Sequence, residues 1–163
     1  MTLRPATPDD FPAVLALNEE SVRYLSPLTL QRLIHLDHEA ELHMVLEDAG
    51  TVIAFLLAFR EGAAYDSVNY RWFADRYGSF LYVDRVVVSQ ARQGSGAGRR
   101  LYKHVFAHAA ATQVPMVTCE FDVDPPNPVS ERFHAKFGFR EVGQQRVAGG
   151  KKAVSLQSAD VSA

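Results

Sequence analysis

This chain has one cysteine, no long apolar run and little net charge, and each of these features excludes a class of protein. The single cysteine, Cys119, cannot form an internal disulfide, so a disulfide-stapled secreted domain is excluded and a cytoplasmic location is expected. No window approaches the roughly 20 apolar residues that span a bilayer, so no membrane partner is expected. The formal net charge of −2 gives no overall attraction for nucleic acid.

The length and composition predict one α/β domain. The 163 residues, 47% of them apolar and 22% charged, can bury one hydrophobic core but leave no room for a second. We expect this domain over residues 1–157 and a polar tail over 158–163. Helices are predicted over residues 7–24, 30–40 and 98–112 and from 128 onward, and strands over 3–5, 42–47, 51–59, 80–88, 114–122, 139–144 and 153–157. Residues 61–78 form a long connection without a clear period.

The most informative segment is a glycine-rich loop between a β-branched strand and a helix. Gly94, Gly96 and Gly98 allow tight turns and a close approach of the backbone to a ligand. A helix that begins here directs its free N–H groups toward the same place, where an anion is favoured. No acidic residue lies between Asp84 and Glu120, whereas five basic residues do: Arg85, Arg92, Arg99, Arg100 and Lys103. The sequence therefore predicts an anion-binding loop.

Two common phosphate-binding motifs fit this loop poorly. A Walker loop needs Lys-Ser/Thr after its last glycine, but Arg99 and Arg100 follow Gly98. A dinucleotide fingerprint needs G-x-G-x-x-G and an acidic residue about 20 residues further on, whereas Glu120 comes only after the next strand has begun. A nucleotide-binding domain is therefore the weaker interpretation.

The spacing Gln93-x-x-Gly96-x-Gly98 resembles the Q/R-x-x-G-x-G/A motif of the GNAT superfamily of acyl-CoA-dependent N-acetyltransferases. A second block, from Asn127 to Phe139, resembles the family's N-x-x-A-x-x-x-Y-x-x-x-G-F element in the family's order and separation. The resemblance implies a single GNAT-like α/β domain with a mixed, mostly antiparallel central sheet, a splayed parallel strand pair and flanking helices. It also implies acetyl-CoA as co-substrate and an amine as acceptor.

The resemblance further implies which residues hold acetyl-CoA. The strand before the loop would pair its main chain with the pantetheine arm, an N–H near Val87 would stabilise the oxyanion, and the loop would hold the pyrophosphate. Asn127 would contact the cofactor and also cap the helix that follows it. The predicted cofactor contacts are Val86, Val87, Val88, Gln93, Gly94, Ser95, Gly96, Ala97, Gly98, Arg99, Asn127 and His134.

Acyl transfer to an amine needs a base, because an alkyl ammonium must lose its proton before it can attack. Tyr82 falls where some family members carry a glutamate base, which departs from that pattern. Asp84, two residues further along, is the first candidate, with Glu120 and Glu19 behind it; a water relay and a plain ion pair at Asp84 stay open. His134 stands where the family commonly has a tyrosine that protonates the leaving thiolate. An imidazole could take over this acid role, or His134 could serve only in packing.

The acceptor site is predicted in two segments of the chain. Residues 61–78 carry five aromatic side chains that suit either a lid over the acceptor or a cover for the core, namely Tyr65, Tyr70, Trp72, Phe73 and Tyr77. Tyr65, Trp72 and Phe73 are the predicted acceptor contacts there. GNAT acceptor sites are usually walled by the first helix and its exit, which makes Glu19 a further predicted contact and Asn18 and Tyr24 secondary candidates.

Histidines do not suggest a metal site. His104 and His108 lie four residues apart without a third ligand, and we expect them on a solvated face, as we do for His35, His38 and His43. No metal is therefore predicted.

Together these observations predict an N-acetyltransferase that moves an acetyl group from acetyl-CoA to the primary amine of a small molecule or a protein terminus, by direct attack in a ternary complex. The alternative is a non-catalytic module that binds or senses acyl-CoA. Edge strands make a homodimer a reasonable assembly.

Overall fold

A computed structural model of the protein describes residues 1–22 and 25–162. In this part of the chain seven strands form one sheet, and helices cover both of its faces. The strands are β1 (Thr2–Pro5), β2 (Leu42–Asp48), β3 (Thr51–Arg60), β4 (Leu81–Val88), β5 (Met116–Asp124), β6 (Arg140–Val147) and β7 (Lys152–Asp160). They lie in the order β1-β2-β3-β4-β5-β7-β6, and only β4 and β5 run parallel. The predicted mixed and mostly antiparallel sheet is confirmed.

The helices differ from the predictions in two places. They are α1 (Phe11–Glu20), α2 (Leu30–Glu39), α3 (Val68–Ala74), α4 (Ala97–Ala111) and α5 (Pro128–Ala135). The predicted first helix is too long, because Asn18 and Arg85 both donate to the carbonyl of Ser26 and draw the chain away from the helix axis. The helix α3 lies inside the connection 61–78 and was not predicted; the Ser67 hydroxyl caps its first turn.

The strands β4 and β5 separate soon after they begin. They pair only through Leu81 with Val117 and Tyr82 with Thr118, although β4 remains paired with β3 as far as Val88. Beyond Tyr82 the edge of β4 that faces β5 therefore has no strand partner among the described residues. The result is a V-shaped gap, and the predicted splayed parallel pair is confirmed.

A β-bulge in β4 directs two charged side chains to the same face. Leu57 of β3 pairs with Arg85, and the next residue, Ala58, pairs with Val83, so Asp84 is the extra residue. Such a bulge changes the direction of the side chains that follow it. It lets the Arg85 Nε reach the carboxylate of its own neighbour, Asp84, at 2.8 Å.

Two apolar layers stabilise the sheet. One layer packs α4 onto the strands through Leu101, Val105 and Ala109, with aromatic side chains of α5 beside it. The other layer lies on the opposite face and contains apolar side chains of α1, α2 and α3. The gap between β4 and β5 is therefore bordered by different helices on its two sides.

Helix caps follow the sequence closely. The Thr29 hydroxyl accepts from the Arg32 N–H at 3.1 Å at the start of α2, and the Asn127 side chain accepts from the Ser130 N–H at the start of α5. Gly138 follows α5 with φ +83°, a conformation that favours glycine. These three predicted helix boundaries are confirmed.

Two further expectations need correction. The strand β7 continues to Asp160, three residues past its predicted end, because Ser158 pairs with Thr118 and Arg140 and is buried. His43 does not lie on a solvated face: it is buried, and its Nδ1 lies 2.6 Å from Asp37 Oδ1.

Candidate active site

The glycine loop leads directly into α4. Gly94 and Gly96 have φ of +82° and +86°, which side chains rarely adopt. Gly96 is the N-cap residue of α4, and no side chain of the described residues caps this end. The first N–H groups of α4, at Ala97, Gly98 and Arg99, consequently have no partner within the helix and point out of its N-terminus. A loop of this shape can hold an anion.

The basic residues around this loop divide into two groups. Arg99 and Lys103 are exposed beside it, whereas Arg92 pairs with Asp48 at 2.6 Å and Arg100 donates to the carbonyl of Met1. Arg85 does not belong to this cluster, because its side chain is buried on the α1 face of the sheet. The predicted set of five basic residues is therefore corrected to four.

Glu120 lies on β5, two residues beyond the last residue that pairs with β4. The Tyr82 hydroxyl lies 2.9 Å and 2.8 Å from its two carboxylate oxygens, and the Asn69 side-chain amide donates to Oε1 at 3.1 Å. Burial, followed by the negative charge of Asp84, raises the pKa of Glu120 to about 8. Glu120 can therefore take up or release a proton near neutral pH.

Asp84 lies on β4 beyond Tyr82, across the gap from Glu120. Its two oxygens accept from Arg85 Nε at 2.8 Å and from the Tyr65 hydroxyl at 2.6 Å. Arg85 also donates to Asn18 and to Ser26. Asp84 thus forms the ion pair that was one of the two roles predicted for it, and its partner Arg85 links β4 to α1 through Asn18.

His134 lies inside an aromatic cluster between α4 and α5. Its Nδ1 lies 2.7 Å from the carbonyl of Ser130, which only accepts hydrogen bonds, so Nδ1 carries the proton. Its Nε2 therefore accepts from the Tyr102 hydroxyl, at 2.7 Å. Burial lowers the pKa of His134. This bonding favours a packing role, and the predicted acid role stays a prediction.

The predicted acceptor residues have different environments. Phe73 is fully buried among Tyr82, Phe80 and other rings, which favours a packing role. Tyr65 is buried and holds Asp84, whereas Glu19 is exposed on α1. Asn18 is buried and fixes Ser26. Tyr24 lies outside the described residues.

The family of this chain follows from its match to a protein family model. The model of the acetyltransferase (GNAT) family matches residues 8–139, most of the chain. The chain belongs to the GNAT acetyltransferase family. The prediction of a GNAT-type enzyme, made from the glycine loop and the Asn127 block, is confirmed.

Solved structures share the fold of this GNAT protein at low sequence identity. Ard1 from Thermoplasma volcanium has a TM-score of 0.80 at 17% identity, and the match covers 99% of this chain and 98% of that one. The ribosomal-protein-S18-alanine N-acetyltransferase from Escherichia coli has a TM-score of 0.75 at 17% identity, over 99% and 94% of the two chains. The Salmonella typhimurium protein yncA, solved with its cofactor acetyl-CoA, has a TM-score of 0.75 at 18% identity, over 100% and 95%. None of the curated protein sequences compared matches the chain.

The loop and gap of the GNAT protein fit acetyl-CoA. The open N–H groups at the start of α4 and the exposed Arg99 suit phosphate, and the unpaired edge of β4 at Val86 and Val88 suits an extended amide-containing arm. Within residues 1–22 and 25–162 no group of three or more His, Cys, Asp or Glu side chains could hold a metal ion. The helices of this same part include none that is long and apolar enough to cross a membrane.

Three residues that surround the carboxylates were not predicted as site residues. Asn69 donates to Glu120, Gln145 of β6 donates to Asn69 at 2.8 Å, and Arg85 holds Asp84. The Asn69–Glu120 and Gln145–Asn69 contacts join residues far apart in the chain and follow no motif. Only the adjacency of Asp84 and Arg85 in the sequence could have indicated a contact, and the bulge in β4 brings these two side chains together.

Proposed function

We propose that this GNAT protein transfers an acetyl group from acetyl-CoA to the primary amine of a small molecule or a protein terminus, with Glu120 as the general base. The observation that carries the proposal is the place of Glu120: its carboxylate lies just beyond the point where β4 and β5 separate, against the hydroxyl of Tyr82. Tyr82 stands where some family members have their glutamate. The chain thus supplies from β5 the carboxylate that is missing at position 82 of β4.

The protein's contribution to the chemistry follows from the residues that border the gap. Acetyl-CoA, when bound, supplies the acetyl thioester. The N–H groups after Gly96 would bind its phosphates, and the free edge of β4 at Val86 and Val88 would orient its arm. The amine forms a bond to the acetyl carbon while the carbon–sulfur bond breaks, Glu120 accepts the proton that the amine loses, and coenzyme A leaves as a thiolate that takes up a proton from water. Both substrates are bound together, so no covalent enzyme intermediate is needed.

The proton affinity of Glu120 suits this step. A base whose pKa lies near the working pH combines a useful deprotonated fraction with the ability to hold the proton it receives. The pKa of about 8 meets this condition. Asp84 is less suited, since one of its oxygens is held in a buried ion pair by the cationic Arg85.

Thiol release from acetyl-CoA in the presence of a panel of primary amines tests the proposal. We expect the rate to rise with pH and to level off above about 8, because Glu120 must be deprotonated. Glu120→Gln should lower kcat by about 100-fold or more near pH 8, where a large fraction of the wild-type carboxyl group is deprotonated, and by less at lower pH. Asp84→Asn is the matched control across the gap: its removal of a nearby negative charge should shift the rise to lower pH while activity is kept.

Two results would contradict the proposal. Full activity of folded Glu120→Gln would transfer the base role to Asp84 or to a water relay. Binding of acetyl-CoA by calorimetry without thiol release for any amine would support the non-catalytic module instead.

A further inference from the structure

Asn69 of the helix α3 forms hydrogen bonds with the proposed base, Glu120 of β5, and with Gln145 of β6. The Asn69 side chain donates to Glu120 Oε1 at 3.1 Å, and its own oxygen accepts from Gln145 Nε2 at 2.8 Å. An ionised carboxylate only accepts hydrogen bonds, so the Asn69 amide presents its N–H to Glu120 and its oxygen to Gln145. Asn69 therefore offers Glu120 a donor that cannot turn away without losing a second bond.

Trp72, one turn further along α3, packs against a glycine of β6. A Cβ placed on Gly143 would lie 2.4 Å from Trp72 Cζ2 and 2.9 Å from Cη2, so the absence of a side chain at Gly143 is what admits the ring. The pairing of β6 with β7 is irregular here, between Glu141 and Gly143. Asn69 and Trp72 lie three residues apart, on neighbouring positions of one helix face. The contact at Gly143 thus sets the position of α3 relative to the base.

We propose that Asn69 is a positioning residue for Glu120, and that the packing of Trp72 on Gly143 keeps Asn69 in place. The inference rests on the proposed function, since it assigns Asn69 to the base of that reaction. A donor to the carboxylate stabilises its charged form and holds it in one orientation. Loss of this donor should make Glu120 a base that is deprotonated only at higher pH and is less well aimed.

The titration of Glu120 tests this without any turnover. The protein is labelled with ¹³C at its glutamate carboxyl groups, and the Glu120 signal is the one that Glu120→Gln lacks. In Asn69→Leu the midpoint should rise by about one pH unit, which corresponds to one hydrogen bond to a charged group. Gln144→Leu is the matched control, because this exposed amide bonds Glu141 instead and should leave the midpoint unchanged.

Gly143→Ala tests the packing step independently. The added Cβ should displace Trp72 and α3, and the Glu120 midpoint should move in the same direction as in Asn69→Leu. Gly143→Ala combined with Trp72→Phe should restore it, because the smaller ring leaves room for the methyl group. Gly78→Ala is the control glycine in the same connection, where a Cβ meets nothing within 4 Å.

Kinetics then separate a positioning role from a merely structural one. Asn69→Leu should lower kcat about tenfold with little change in KM for acetyl-CoA, and the pH at which the rate levels off should rise with the Glu120 midpoint. An unchanged midpoint in folded Asn69→Leu would overturn the inference even if the wild-type protein is active. Failure of the wild-type protein to acetylate any amine would overturn the proposed function, and the positioning role of Asn69 with it.

Discussion

Glu120 and Asp84 carry the same functional group on the two sides of the gap, yet their neighbours differ in charge. The cationic Arg85 lies 2.8 Å from Asp84 Oδ2, and the Tyr65 hydroxyl bonds Oδ1. Among the described residues Glu120 receives hydrogen bonds only from neutral groups. Burial and the negative charge of Asp84 therefore raise the pKa of Glu120, and no cation bonded to Glu120 opposes them among the described residues. This raised proton affinity suits Glu120 to the role of a base.

The stability of the protein should report this difference. In the unfolded chain Glu120 loses its proton near its ordinary pKa of 4.5, whereas the folded protein holds it up to about 8. Between these values the unfolded state binds fewer protons, so the free energy of unfolding of the wild-type protein falls as the pH rises. Glu120→Gln does not titrate and lacks this loss, so relative to the wild type it should gain on the order of 4 kcal/mol between about pH 5 and about pH 9.

Urea unfolding at both pH values measures this change, because other titrating groups contribute equally to the two proteins. Glu19→Gln serves as the control, since this side chain is exposed on α1. A stability difference between Glu120→Gln and the wild type that is the same at both pH values would show that Glu120 titrates normally.

The sequence offers both carboxylates that border the gap as candidate bases, with Asp84 ahead of Glu120. Asp84 ranks first because it lies on the same strand as Tyr82, two residues beyond the position of the family's glutamate. The Tyr82 hydroxyl meets Glu120 across 38 residues of chain, and the bulge pairs Asp84 with Arg85. Both contacts depend on strand register, which a single sequence does not specify. The ion pair at Asp84 was foreseen as an alternative, whereas Asn69 and Gln145 carry no local signal.

The glycine loop and α4 form the element that the sequence predicts best. Their glycines, β-branched strand and basic residues are local features, and the structure places positive φ at Gly94 and Gly96 as tight turns require. Gly98 has a second role, since a Cβ there would lie 3.4 Å from Phe133 Cζ of α5. By contrast α3 spans seven residues, too few for a periodic pattern, and its aromatic residues face both the core and β6.

We expect Gly96→Val combined with Gly98→Val to weaken acetyl-CoA binding by about 100-fold or more, because side chains would block the approach to the N–H groups of α4. Calorimetric titration with acetyl-CoA measures the affinity. Gly149→Val is the control: its φ of +66° imposes similar backbone strain, but it lies in the turn between β6 and β7. Equal affinities of the folded double variant and the wild-type protein would exclude the loop as the cofactor site.

The whole sheet depends on β7, which lies between β5 and β6 although it is last in the chain. The splayed parallel pair, and with it the gap between β4 and β5, was implied by the family resemblance, but the order of the strands was not. The extent of β7 was not implied either, because Ser158 and Asp160 look like a polar tail when no partner strand is known. In the structure Ser158 pairs with Thr118, the residue of β5 that also pairs with Tyr82 at the start of the gap.

Truncation decides whether the domain ends at residue 157 or includes the end of β7. Deletion of residues 158–163 removes the partners of Met116, Val117 and Thr118, and it exposes the site of Ala159, now 1% exposed. Several hydrogen bonds and one buried side chain are lost, so the free energy of unfolding should fall by on the order of 3 kcal/mol in urea. Deletion of 162–163 is the control and should change it little, because Val161 keeps its bond to the carbonyl of Pro115. Equal stability of the two truncated proteins would place the boundary at 157 after all.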